Sequence, residues 1–142
     1  MTRDELVLAA MAPGGGHRYS PVQVQKLLFL IERQIQPAIL EGPHFDFRPY
    51  HYGPFDITVY SALGQLATRG LVSIDRSSEP RTFSLTPEGV AQGNDSLRQL
   101  PADTQDFFRR ASEFVRAHSF SSLVAAIYKA FPEMRANSVF QS

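Results

Sequence analysis

The 142 residues match the usual size of one domain, and 43% hydrophobic content with eleven Phe and five Tyr is too apolar and aromatic for a disordered chain. Fourteen Lys plus Arg balance fourteen Asp plus Glu, so the chain lacks the basic excess that phosphate contacts draw on. It has no cysteine, which excludes disulfides, thiolate nucleophiles and Cys-containing zinc sites.

Met1-Thr2-Arg3-Asp4-Glu5 puts acidic residues where a secretory signal would be basic, and no apolar run approaches the roughly 20 residues of a membrane span, so a cytoplasmic protein is expected. The first helix is expected over Arg3 to Met11, with Leu6, Ala9 and Ala10 on one side and a stop at Pro13-Gly14-Gly15-Gly16. Ser20-Pro21-Val22-Gln23 combines an N-cap Ser, a Pro suited to the first helical position and a Gln able to close a capping box. The helix that follows carries Val24, Leu27, Leu28, Ile31 and Ile35 on its apolar face and Gln25, Glu32 and Arg33 on the other, ending by Pro37.

His44-Phe45-Asp46-Phe47-Arg48 alternates with period two between prolines and reads as a short edge strand with its phenylalanines inward. After Tyr50-His51-Tyr52-Gly53-Pro54-Phe55, Asp56 can cap a third helix with Val59, Tyr60, Leu63, Leu66 and Ala67 as its apolar stripe and Gly70 as C-cap. Leu71 to Ile74 and Thr82 to Leu85 are β-prone runs around a turn-rich tip, a hairpin, and Thr86-Pro87-Glu88 opens the next helix. Two tail helices are expected, one with the stripe Phe107, Ala111, Phe114 and Val115, the other with Leu123, Ala126, Ile127 and Ala130, stopping at Phe131 before a frayed end.

Helix, helix, short strand, helix and hairpin is the order of a winged helix-turn-helix. The expected fold is therefore mainly α with a small β-hairpin (α+β). It is a single domain over 1–142, with a winged-helix core at about 3–90 and a C-terminal helical extension at about 101–131.

Leu63-Gly64-Gln65-Leu66-Ala67-Thr68-Arg69-Gly70-Leu71-Val72, followed by Phe83-Ser84-Leu85-Thr86-Pro87-Glu88-Gly89, resembles the recognition helix, turn and wing of winged-helix domains. More narrowly, Gln25-Lys26-Leu27-Leu28-Phe29-Leu30, Phe45-x-Phe47 and Tyr52-Gly53-Pro54-Phe55 make the chain similar to the Panacea (SocA-like) antitoxin domains and the related YwgA-like bacterial proteins. Panacea domains usually carry a tryptophan near the Gly-Pro motif and this chain has none; its Tyr-His-Tyr-Gly-Pro-Phe version resembles the YwgA-like branch more. The resemblance implies a non-enzymatic adaptor, either an antitoxin that holds a toxin inactive or a protein that presents a client to a protease.

Tyr50, His51, Tyr52 and Phe55 are the candidate protein-binding residues. The same residues also read as a rigid turn whose aromatics cover the edge of the core. The alternative function is that of a dimeric winged-helix DNA-binding regulator, using Thr58, Ser61, Gln65, Thr68 and Arg69 on the third helix, with Arg76 and Arg81 on the wing reaching phosphates. Across His44 to Thr86, however, Arg48, Arg69, Arg76 and Arg81 are matched by Asp46, Asp56, Asp75 and Glu79.

Gly14-Gly15-Gly16-His17-Arg18 reads as a flexible loop, because it lacks the Lys-Ser/Thr ending of a phosphate-binding loop and follows no strand. His44, Asp46 and His51 are the densest metal-ligand types, but a strand does not bring His51 to the face shared by the other two. No nucleophile, base and orienting acid can be grouped, so no catalytic residue, metal or cofactor is expected. The expected partners are a protein toxin or client and a second copy of the chain, with no membrane.

Overall fold

The computed structural model describes residues 1–141 as a mainly helical α+β chain with two small antiparallel sheets. Helix α1 spans Arg3–Met11 and starts at a reciprocal cap: the Glu5 N–H donates to the Thr2 hydroxyl, and the Thr2 N–H donates to the Glu5 carboxylate. Its residues from Leu6 to Met11 are all buried, so this helix is the central rod of the core rather than an amphipathic surface helix. That is why an apolar stripe on one side describes it poorly. A 3₁₀ turn over Ala12–Gly14 closes it.

Helix α2, Pro21–Gln34, begins at the expected Ser20 and Gln23 capping box. Beyond the short helix α3, Pro37–Leu40, the chain forms no helix or strand through residues 44–47. The expected strand over His44 to Arg48 is thus displaced: strand β1 is Arg48–Tyr50 and pairs with β2, Gly53–Phe55, with Arg48 opposite Phe55 and Tyr50 opposite Gly53. What holds the upstream segment is a carboxylate instead of a neighbouring strand. Glu32 accepts the N–H of His44 at 2.7 Å and of Phe45 at 3.0 Å. Phe45 is buried as the alternation implied.

Helix α4, Thr58–Thr68, buries Val59, Ala62, Leu63 and Leu66 and ends at Gly70, whose φ of 76° is the left-handed conformation that favours glycine. Strands β3, Val72–Asp75, and β4, Thr82–Leu85, form the expected hairpin. Tyr19 adds an antiparallel bridge to Phe83, with N–H to O distances of 2.7 and 2.9 Å, so a third short extended segment lies on the hairpin. Thr86 caps helix α5, Pro87–Arg98, by accepting the Gly89 N–H.

Helix α5 lies along α1 so closely that a Cβ on Gly93 would sit 2.5 Å from the Leu8 carbonyl oxygen. Helices α6, Ala102–Ala117, and α7, Phe120–Ala130, then pack on α2. In α6 the inward stripe is Thr104, Phe108, Ala111, Ser112 and Val115, which leaves Phe107 half-buried and Phe114 exposed, contrary to the expected stripe. The inward face of α7 includes Val124 and Tyr128 beside Leu123 and Ile127.

Residues 132–139 are held in place rather than frayed. Met134 is buried in a second 3₁₀ turn, Pro132–Arg135, and residues 137–139 strap across the β1–β2 hairpin: Asn137 donates to Pro49 O at 3.2 Å, and the Val139 N–H donates to His51 O at 2.9 Å. Among the described residues no helix is long and apolar enough to cross a membrane.

Candidate functional site

The β1–β2 hairpin turns through His51 and Tyr52, and Gly53 follows with a φ of 102°, a backbone conformation that a side chain would strain. Helix α2 fixes this hairpin from behind with two polar residues. The Gln25 side chain pairs with the backbone of Asp56, donating to its carbonyl at 2.9 Å and accepting its N–H at 3.0 Å. The Lys26 ammonium donates to the Pro54 carbonyl at 3.0 Å.

Both residues are buried, which corrects the expectation that Gln25 lies on a solvent face. Helix α2 has no open polar side at this level, because the hairpin, α6 and α7 pack around it. No carboxylate forms an ion pair with Lys26 among the described residues. Burial pulls its pKa down to about 7 from an ordinary 10.5.

The hairpin forms one wall of a groove of about 700 Å³. Tyr50 stacks on His51 at 4.2 Å and on Phe55 at 5.0 Å between ring centroids. Phe55 meets Tyr60 edge-on, and Tyr60 stacks in turn on Phe83. Opposite, Tyr52 meets Phe120 edge-on at 5.1 Å, and Phe120 continues to Phe140. Tyr50, Tyr52 and Phe120 remain 46%, 44% and 45% exposed, so these rings are packed on one side and open on the other. Lys26, Gln25 and the first turns of α2 and α7 complete the lining.

The structure thus brings together all four candidate protein-binding residues, Tyr50, His51, Tyr52 and Phe55, and adds Tyr60, Phe120 and Lys26 to them. Phe120 was not among the residues singled out from the sequence. Its signal was Ser119, which caps α7 by accepting the Ser122 N–H and so places Phe120 at the first helical position.

The candidate nucleic-acid residues do not line the groove, although Arg76 and Arg81 border it, lining a neighbouring hollow that shares Pro21, Tyr60 and Pro80 with it. Thr58, Ser61, Gln65, Thr68 and Arg69 are exposed along α4, and Arg76 is exposed near the tip of the β3–β4 hairpin. Several are already engaged within the chain. The Thr58 N–H and hydroxyl both donate to the Asp56 carboxylate, Gln65 accepts from Arg3, and Arg69 pairs with Asp4 at 3.0 Å. The Arg81 guanidinium lies over Tyr60 and Phe83, 5.2 and 5.5 Å from their ring centres. Burial pushes the Asp56 carboxyl up, but hydrogen bonds from Asp46 and Thr58 outweigh it and hold the group ionised below its ordinary range.

No protein family, curated protein or solved structure matches this chain.

The residues considered for metal binding do not converge. His44 Nε2 is bonded to Leu40 O at 2.9 Å, Asp46 binds Arg48, and His51 is stacked on Tyr50. Among the described residues no group of three His, Asp or Glu is placed to hold a metal. The glycine loop is packed rather than open at its start, with Gly14 against Tyr19 and Arg116.

Proposed function

We propose that this chain is a non-enzymatic winged-helix adaptor of the antitoxin-like kind, which binds a protein partner through the aromatic groove. The observation that carries the reading is the half-exposed Tyr50, Tyr52 and Phe120 set around one groove on a backbone fixed by Gln25, Lys26 and the C-terminal strap. Exposed rings held by a rigid frame lose little conformational freedom on binding, which is the character of an interface hot spot. The winged-helix assignment is supported by the succession α1, Tyr19 bridge, α2, α4 and β3–β4 hairpin, in which α4 holds the place of a recognition helix. On that view α3 and the β1–β2 hairpin are an insertion between the second and third core helices, and the groove is built from the insertion and the C-terminal extension.

The protein reading is favoured over the DNA reading by where the arginines are. Arg69 is paired with Asp4, Arg81 is laid over rings, and the chain's formal net charge is zero, leaving little positive field on α4 to gather phosphates.

Affinity capture from cells with and without nuclease treatment, comparing wild type with the Tyr50→Ala/Tyr52→Ala double variant, tests this. A stoichiometric protein held by wild type should bind the variant about 30-fold more weakly, equivalent to about 2 kcal/mol at a hot spot. Undiminished capture by a folded double variant, or recovery of nuclease-sensitive DNA alone, would refute it.

A further inference from the structure

The polar groups inside the groove select among possible partners. Its lining contains one ammonium side chain, Lys26, and no Asp or Glu. Two helices of more than eight residues also open onto it at their N-termini, α2 through Ser20 to Gln23 and α7 through Ser119 and Phe120, so the positive ends of two helix dipoles face the same space.

Lys26 is the unusual member. Its side chain is 2% exposed, and one of its N–H groups is taken by the Pro54 carbonyl at 3.0 Å. An ammonium has three donors, and no other acceptor for Lys26 is present among the described residues. A buried cation without a carboxylate is costly to keep. A lysine whose only task was to tie α2 to β2 would be replaced at lower cost by a neutral donor, as Gln25 does one residue earlier. The cost is removed when an anion enters, because a carboxylate supplies both the missing charge and the missing acceptors in a region with little water to screen them.

Resting on the reading of the groove as a protein-binding surface, we propose that its occupant is a segment of a partner protein carrying a carboxylate among aromatic or branched apolar residues. The carboxylate lies toward Lys26 and the two helix N-termini, and the apolar side chains pack between Tyr50 on one wall and Phe120 on the other. The volume of about 700 Å³ is of the size that buries a few side chains at most, so the segment is short.

A displayed random-peptide library selected on the wild-type chain, with counter-selection on Tyr50→Ala/Tyr52→Ala, supplies the probe. The enriched peptides are then titrated by fluorescence anisotropy below pH 7. We expect them to share an Asp, a Glu or a free C-terminal carboxylate beside an aromatic or branched residue. Affinity should fall at least about tenfold when that acid is changed to its amide, and by a similar factor on Lys26→Met. Combining the two changes should cost little more than either alone.

Peptides without an acid, or unchanged affinity on amidation, would overturn the carboxylate while leaving the protein-binding groove in place. The amide peptides are measured on wild-type protein, so this arm does not depend on how Lys26→Met folds. If selection yields no peptide that depends on Tyr50 and Tyr52, the short-segment proposal is overturned, whereas the adaptor reading falls only with the capture experiment. Tight binding of benzoate or phenylacetate, at an affinity matching the best peptide, would overturn the peptide and make the site one for a small aromatic acid.

Discussion

Replacing Lys26 with Met should make the folded chain more stable at pH 7, and the advantage should shrink as the pH rises. Lys26 is buried and burial holds its pKa at about 7, whereas in the unfolded chain it returns to an ordinary value of 10.5. Between those values the unfolded chain carries a proton on Lys26 that the folded chain has released. Stability therefore increases with pH across this window, at about 1.4 kcal/mol per pH unit. Below pH 7 both states are protonated and the full penalty, about 5 kcal/mol over the interval from 10.5 to about 7, is present. From pH 7 to 9, allowing for half-titration at the start, wild type should gain about 2 kcal/mol from this group.

Methionine fills a similar volume and does not titrate, so it lacks this gain, although it gives up the bond to Pro54. Other titrating groups act equally in both proteins. Tyr19 and Tyr60, whose hydroxyl pKa values burial pushes above 10, affect both curves alike. Urea unfolding followed by circular dichroism at pH 7, 8 and 9 reads the difference directly. Parallel stability curves for wild type and Lys26→Met would show that the folded ammonium is solvated or paired, and the argument from its burial would fail.

Two further substitutions probe the packing. Gly93→Ala should lower stability by about 1–3 kcal/mol, because the added Cβ meets the Leu8 carbonyl oxygen at 2.5 Å and the Ala12 Cβ at 2.8 Å, while Gly64→Ala in α4, with nothing within 4 Å, should raise it by about 1 kcal/mol. Thermal melts of the two variants should move in opposite directions. Tyr19→Phe removes a hydroxyl bonded to Met11 O at 3.2 Å and to Ser112 Oγ at 2.7 Å; about 1–3 kcal/mol should be lost in chemical denaturation, with the Tyr19 backbone bridge to Phe83 retained by amide exchange.

Much of the local structure was legible because short-range chemistry decides it. Ser20 with Gln23, Thr86 with Gly89, and Gly70 at a positive φ are each settled by one side chain or its absence within a few residues. The strand over His44 to Arg48 misled because alternation of Phe45 and Phe47 reports which side is buried and not whether a neighbouring strand exists. The pairing begins four residues later, at Arg48, where Gly53 allows the turn, and Glu32, far away in sequence, takes the upstream amides.

In α6 both faces carry a phenylalanine, and helical spacing fits Phe107 with Phe114 as well as Phe108 with Val115; only the neighbouring helices break the tie. Lys26 was hidden for the same reason, since a lysine in an amphipathic helix reads as solvated until other elements close over it. The aromatic turn was legible as a candidate because its residues are contiguous, while Phe120 and Lys26 reach the same groove from other parts of the chain.

The strap of residues 137–139 over the β1–β2 hairpin places a late-synthesised stretch in charge of an early one. During synthesis the Tyr50 to Phe55 hairpin emerges from the ribosome well ahead of the segment that clasps it, Pro49 and Asn137 being 88 positions apart, so on a nascent chain its rings lack both Phe120 and the clasp. A groove assembled in that order takes its full shape only after the C-terminal helices have docked; on the proposed adaptor reading, partner capture would wait until the chain itself has folded.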